Sequence, residues 1–541
     1  MKGIKFSFLL ASLLALGYFP QAQLYINGAT FVIQSGATVT AQGDVQNAGT
    51  LTNDGILQVQ GNFSNTSVYN GTVTTGVLQM TGTGNVTLNA GASVINNLLI
   101  NKTSATDRVL LTNTASVGYT FTLTNGVFST DPILNPLYTL TAPAAATFSF
   151  AAGKEVSGRV KRTFWANAAP TVFNQPNMQI TTSNGTNPAD ITVNMIPFSE
   201  GGDPTQAERE VKRKYTFLAN GGSGYTADVR YPYLGGELNT NIETNLVPWQ
   251  LVSTEWNGRL SPVTRDGVND YVSTTGIPAS EFNQEWKLAD PKYTFNVTAQ
   301  LRGPWNNTDM NTTMNSAGLI PNAQPYNTTP FNYTGTENQA VPNANVVDWV
   351  LVEHRKPLSG LATDAISATI SGRQAGYLLK TGQIVGLDGI NPIAFDITKQ
   401  GSSYIVVRHR NHLGVMSNAI ASNAAGTFAN DYSILANSYK PVSAPSDPVV
   451  LLSGVTGKYG LWAGDANKSG AINATDVNTV KAAVANSSTG YLLTDVNMSN
   501  SINATDVNLT KNTVAASGTG GTFLVKNNKP ITTNIPDKII E

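Results

Sequence analysis

The chain of 541 residues contains no cysteine and three histidines. Without cysteine it has no disulfides, no thiolate metal site and no cysteine nucleophile. Charged residues make up 12% of the sequence, about half the usual share. The 33 basic and 34 acidic side chains leave a net charge of −1. That balance offers no electrostatic footprint for nucleic acid and no long-range repulsion between copies. No apolar run is long enough to span a bilayer. The run over residues 6–16 follows Lys2 and Lys5 and reads as the core of a secretory signal peptide, with cleavage expected after Gly17 or Ala22. The mature chain is therefore expected outside the cell.

Catalytic signatures are missing too. There is no GxSxG elbow, no phosphate-binding GxxxxGK[ST] and no HExxH. Residues 24–150 hold Asp44, Asp54, Asp107 and Asp131 as their only carboxylates, too scattered to place on one face. His409 and His412 lie in RHRNHLG, where a strand ends, and strand pairing could bring His354 beside them as a metal site. A polar strand rim is the simpler reading. These observations predict a protein that is not an enzyme.

What the chain has is Asn, Thr, Ser and Gly on a background that is 41% hydrophobic. This is the composition of β-rich surfaces rather than of disorder. Residues 23–150 alternate apolar residues with Thr, Gln and Asn and turn at short intervals, as in GTLTNDG and TLTNGVF. They read as rungs of a β-solenoid, with a plain β-sandwich as the alternative. Residues 151–300 carry KEVSGRVKRTF and EREVKRKYTF, two basic strands of a β-sandwich whose charges are expected on a solvated face. Trp249, Trp256 and Trp286 are its candidate core. Residues 301–345 read as an Asn/Thr/Pro-rich linker with aromatic anchors. Residues 346–420 read as an immunoglobulin-like sandwich, with VVDWVLVEHR as a central strand. Residues 421–455 read as a second linker, and 521–541 as a tail with little to pack.

Near the C-terminus the chain writes GDANKSGAINATDVNTVK (464–481) and then TDVNMSNSINATDVNLTK (494–511), with INATDVN identical in both. Asp465, Asn467, Ser469, Ala471, Asn473 and Asp476 fall at positions 1, 3, 5, 7, 9 and 12 of a loop. Asp495, Asn497, Ser499, Ser501, Asn503 and Asp506 repeat the pattern. Calcium takes six to eight hard oxygens, and a twelve-residue loop supplies them, position 7 through its backbone carbonyl. Gly470 at position 6 permits the sharp turn, and Asn500 replaces it in the second copy. Each loop leads into a helix, with Val477, Val480 and Val484 as one stripe and Val507 and Val514 as a weaker one. Two carboxylates per loop predict modest affinity.

Residues 456–520 resemble a type I dockerin, the module with two calcium loops that plugs into a cohesin. The resemblance implies calcium as the cofactor and a cohesin-like protein as partner. It also implies that Ala474–Thr475 and Ala504–Thr505 help to choose that partner. DWVLVE, YIVVRHRNHLGVM and LWAGDAN, across about residues 300–516, resemble secreted hemagglutinin-like, dockerin-containing surface proteins of Bacteroidota. The expected whole is a mainly β, secreted structural or adhesive protein that assembles with itself. Two alternatives stand beside it: a dockerin-bearing component bound to a cohesin-like scaffold, or an accessory protein that binds a surface polysaccharide.

Overall fold

The computed structural model describes residues 23–131, 138–163, 165, 169–197, 209–442, 444, 446–516 and 531–536. The expected signal peptide lies outside the described residues. The chain is mainly β, with 44% strand and 10% helix. It forms two compact units: residues 1–201 with 215–229 and 277–283, and residues 202–214 with 230–276 and 284–541.

The first unit is built on a β-solenoid of about six turns. Alternation puts every second side chain inside, and parallel pairing stacks each inward residue on its counterpart one turn later. One such ladder runs Val39, Leu57, Leu78, Leu98, Phe121, Phe148. Another begins Val45, Phe63, Leu88. Buried amides are satisfied along the stack: Asn47 Nδ2 donates to Asn65 Oδ1 at 2.7 Å, and Asn65 Nδ2 to the Ala90 carbonyl at 3.0 Å. The scattered aspartates fasten turns. Asp44 accepts from the Asn62 N–H at 2.8 Å, Asp54 from the Thr72 N–H at 2.9 Å and Asp107 from the Ser104 N–H at 3.2 Å.

Two expectations for this stretch are corrected. The solenoid continues past residue 150, because Val156–Thr163 pairs in parallel with both Val127–Ser129 and Leu140–Pro143. The rise in charge at KEVSGRVKR had suggested a new domain, yet the pairing continues through it. The basic residues are also not all solvated. Arg162 is buried with its guanidinium on the carbonyls of Val172 (2.7 Å) and Ala144 (2.9 Å). In the second unit, buried Arg209 pairs with Asp290 at 2.8 Å and buried Arg213 with Glu237 at 2.7 Å. These cations are held by carbonyls and carboxylates far along the chain, which alternation alone does not reveal.

The second unit contains a sandwich. One sheet has the order Ile384–Val385, Ile370–Leu379, Val346–Arg355, Tyr404–Arg408, Val415–Met416, antiparallel throughout. Val346–Arg355 is central, as expected from apolar residues on both of its faces, and all ten of its residues are buried. The other sheet joins Lys292–Thr298 to Ile393–Asp396 and, in parallel, to Thr427–Asp431. Residues 421–455 are thus not only a linker, since they supply a strand. Residues 301–345 cover the sandwich edge rather than merely connect: Met310, Met314 and Tyr326 are buried, and Tyr326 donates to the Trp349 carbonyl at 2.7 Å. Trp249 and Trp286 are fully buried and Trp256 partly so.

His354 lies between the sheets. Its Nδ1 meets Ser371 Oγ at 2.6 Å, its ring centroid is 5.0 Å from that of Phe428, and it is fully buried. Burial, and secondarily the Lys356 charge, push it down to about 3. The unfolded chain takes up that proton near pH 6.5. Stability is therefore unaffected above that pH and is lost as the pH falls from about 6.5 toward 3, by at most about 1.4 kcal/mol per pH unit. Thermal melts across pH 7 to 4 should show a steeper loss in the native protein than in His354→Gln. Equal slopes would contradict the assignment.

Candidate metal-binding module

Each loop folds on its own carboxylates. Asp465 Oδ1 accepts from the Ser469 N–H at 2.9 Å and Oδ2 from the Gly470 N–H at 3.0 Å. Asp476 Oδ1 accepts from the Asn467 N–H at 3.3 Å and Oδ2 from the Asn473 N–H at 3.0 Å. The second copy repeats this almost bond for bond. Asp495 accepts from Ser499 (3.0 Å) and Asn500 (2.8 Å), and Asp506 from Asn497 (3.1 Å) and Asn503 (3.0 Å). Gly470 has φ +75° and Asn500 φ +62°, so the substitution keeps the left-handed turn. Ser469 and Ser499 donate their hydroxyls to the carbonyls of Ala471 (3.0 Å) and Ser501 (3.2 Å).

The loops start their helices. Asn473 Oδ1 caps the Thr475 N–H at 2.7 Å, and with Asp476 it forms a capping box at the head of Ala474–Ala485. Asn503 does the same for Thr505 at 2.8 Å, before Ala504–Ala516. The position-9 oxygens expected as ligands each accept one helix N–H, and position 9 of such loops often reaches its ion through water. Val477, Val480, Val496, Ile502 and Val507 form the small core between the helices, with Val484 and Val514 packed against it.

The four aspartates are buried, and Asp476, Asp495 and Asp506 are fully so. Burial, and next the facing Asp476 charge, push Asp465 up to about 7. Burial likewise raises Asp476, Asp495 and Asp506. Paired buried carboxylates are what a cation neutralises. Among the described residues no group of three or more His, Cys, Asp or Glu could hold a metal. Each loop instead combines two carboxylates with amide, hydroxyl and carbonyl oxygens, a donor set suited to a hard divalent cation.

The histidines make no metal cage with one another. His354 faces Ser371 and Phe428, away from the pair in RHRNHLG. His409 Nε2 meets Asp348 Oδ2 at 3.2 Å, and His409 and His412 approach through their Nδ1 atoms at 3.1 Å. Burial holds both below the usual histidine range. Asp348, itself fully buried, lies at the centre of a cluster. Arg410 Nε donates to it at 2.7 Å, Tyr491 Oη at 2.5 Å, and the Arg410 guanidinium stacks 4.0 Å from the Tyr491 ring. Burial raises the Asp348 carboxyl, but Arg410, His409 and Tyr491 outweigh burial and hold it well below the carboxylate range. Tyr491 belongs to the segment joining the two loops, so this cluster is part of what seats the module. Sequence reasoning missed Asp348 and Tyr491, which are separated from RHRNHLG by scores of residues.

The tail also differs from expectation. Ile531–Thr532 pairs antiparallel with Ala471–Ile472 of the first loop, and Ile531 and Ile535 are buried. Ile531 packs with Leu413, Trp462 and Ile472, and Ile535 with Tyr404, Val406 and Met416.

Calorimetric titration of the full-length protein with calcium should register two sites. Asp476→Ala and Asp506→Ala should each remove one, and together both. Undiminished heats in the double variant would contradict the assignment of these carboxylates.

No curated protein and no solved structure matches the chain. The family model described as the Dockerin type I domain matches residues 463–518, the two loops and their helices. The chain therefore carries a type I dockerin domain at residues 463–518.

Proposed function

We propose that this protein is a non-enzymatic component of an extracellular assembly, attached through its calcium-loaded dockerin to a cohesin-like partner. The observation that carries the reading is the duplicated oxygen-lined loop within a matched dockerin domain. Type I dockerin domains bind calcium. In this chain Asp465, Asn467, Ser469, Asp476 and the Ala471 carbonyl would hold one ion. Asp495, Asn497, Ser499, Asp506 and the Ser501 carbonyl would hold the other. Bound calcium cancels the repulsion of the buried carboxylates and fixes the helix starts that carry exposed Thr475 and Thr505.

Secretion is part of the proposal. It is supported by the leader-like N-terminal residues and the resemblance of residues 300–516 to secreted surface proteins. No helix among the described residues is long and apolar enough to cross a membrane. The solenoid serves as a scaffold in this reading, since Asp44, Asp54 and Asp107 are engaged in turn hydrogen bonds. Asp→Asn at 44, 54, 107 or 131 should shift stability by no more than about 1 kcal/mol. Loss of a polysaccharide-cleaving activity in any of these variants would overturn the non-enzymatic reading.

Self-assembly is the second reading. The first solenoid strand, Leu24–Ile33, pairs on one side only among the described residues and exposes Tyr25 and Val32. An open edge of this kind can pair with another chain. Binding assays against purified type I cohesins, alongside light scattering with calcium and with EDTA, separate the two. The proposal expects a monomer that binds at least one cohesin in calcium and releases it in EDTA. Calcium-dependent polymers with no cohesin binding would replace it with self-assembly.

A further inference from the structure

The sandwich strand Tyr404–Arg408 runs into residues 410–414, and this segment bonds to the start of both calcium loops and to the tail. Asn411, fully buried, is its centre. The Asn411 carbonyl accepts from the N–H groups of Gly464 (3.2 Å) and Asp465 (3.1 Å). Its side-chain Nδ2 donates to the carbonyls of Leu493 (3.1 Å) and Asp495 (3.0 Å). Asp465 and Asp495 stand at position 1 of the two loops. One asparagine that belongs to neither loop thus holds the first candidate ligand residue of both.

The orientation of that amide follows from its neighbours. His412 Nε2 accepts from the Gly303 N–H at 3.0 Å, so the proton of the neutral ring is on Nδ1. That Nδ1 lies 2.8 Å from Asn411 Oδ1 and donates to it, which leaves the Asn411 NH2 group for the two carbonyls. The setting has little slack. A Cβ on Gly303 would collide with the Val496 carbonyl and meet the His412 ring. On either side, Arg410 donates to the Leu492 carbonyl at 2.5 Å and the Leu413 N–H to the Trp462 carbonyl at 2.9 Å. Thr533 of the tail donates to the Gly414 carbonyl at 2.8 Å, while Ile535 packs among Tyr404, Val406 and Met416.

We infer that Asn411 is a positioning residue that couples the two calcium loops to each other and to the sandwich. The inference rests on the calcium reading above. An ion in one loop fixes the backbone at its position 1, and that backbone is bonded to the residue that fixes position 1 of the other loop. The ordering cost met by the first ion is then not met again by the second, which is positive cooperativity. Ordering also spreads to residues 404–416 and 531–536, which lie outside both loops.

Two measurements on the full-length protein test this. In the native protein, hydrogen exchange with and without calcium should show added protection at 404–416 and 531–536 as well as at 465–511. In Asn411→Ala, which keeps the backbone carbonyl but removes the side-chain bonds, calcium titration should show the second site weakened at least about tenfold, the share of the one lost bond that reaches Asp495. The first site should be weakened less, and cooperativity should be lost. Calcium protection confined to the loops and their helices overturns the inference, and this arm needs no variant to fold. Equal affinities in Asn411→Ala and the native protein also overturn it. A native protein that takes up no calcium overturns the calcium reading itself, a result distinct from either.

Discussion

The buried carboxylate of Asp348 is the point on which the second unit turns. It sits on the central strand of the sandwich, with no exposure, and would be untenable there alone. Arg410 supplies the countercharge, His409 a further N–H, and Tyr491 a hydroxyl from the segment between the two loops. An ion pair taken out of water contributes little net stability, but removing one partner leaves a bare charge and costs several kcal/mol. Its consequence is specificity of position. The Tyr491 hydroxyl on Asp348 seats the module where residues 410–414 meet both loops. The dockerin is built against its neighbour rather than hung from a linker.

In the proposed reading that arrangement would give calcium a wider effect than its loops alone. The four loop aspartates are buried, and burial raises every one of them. A divalent ion converts this unfavourable cluster into a favourable one. Because the loops share backbone contacts with the sandwich and with the tail, the gain belongs to a larger body than the 463–518 stretch. If Thr475 and Thr505 face a partner, as proposed, their placement would depend on the whole seat.

Much of this was legible in the residues. The dockerin loops were readable because position, residue type and exact repetition agree, and their geometry follows the reading down to Asn500 taking the glycine turn. The solenoid showed in its alternation and turn spacing, and the central strand in the apolar residues on both of its faces. What stayed hidden depends on contacts between distant residues. Arg162, Arg209 and Arg213 look like surface cations until the carbonyls and carboxylates that receive them are placed. Val156–Thr163 looks like the start of a new domain because charge rises there, while parallel pairing with the preceding turns carries no local mark. Asn411 is one asparagine among many. Only the approach of Asp465 and Asp495 gives it meaning. The tail isoleucines are too few to signal packing, and the strand they join lies in the calcium loop.

Scanning calorimetry of the full-length protein with and without calcium tests the central claim most directly. Unfolding absorbs about 0.7 kcal/mol per residue near 60 °C, so an independent module of the matched length would melt with roughly 40 kcal/mol. The account predicts that the transition moved by calcium carries several times that enthalpy, because the sandwich melts with the module. A small calcium-sensitive transition, separate from a sandwich transition that calcium leaves in place, would contradict it.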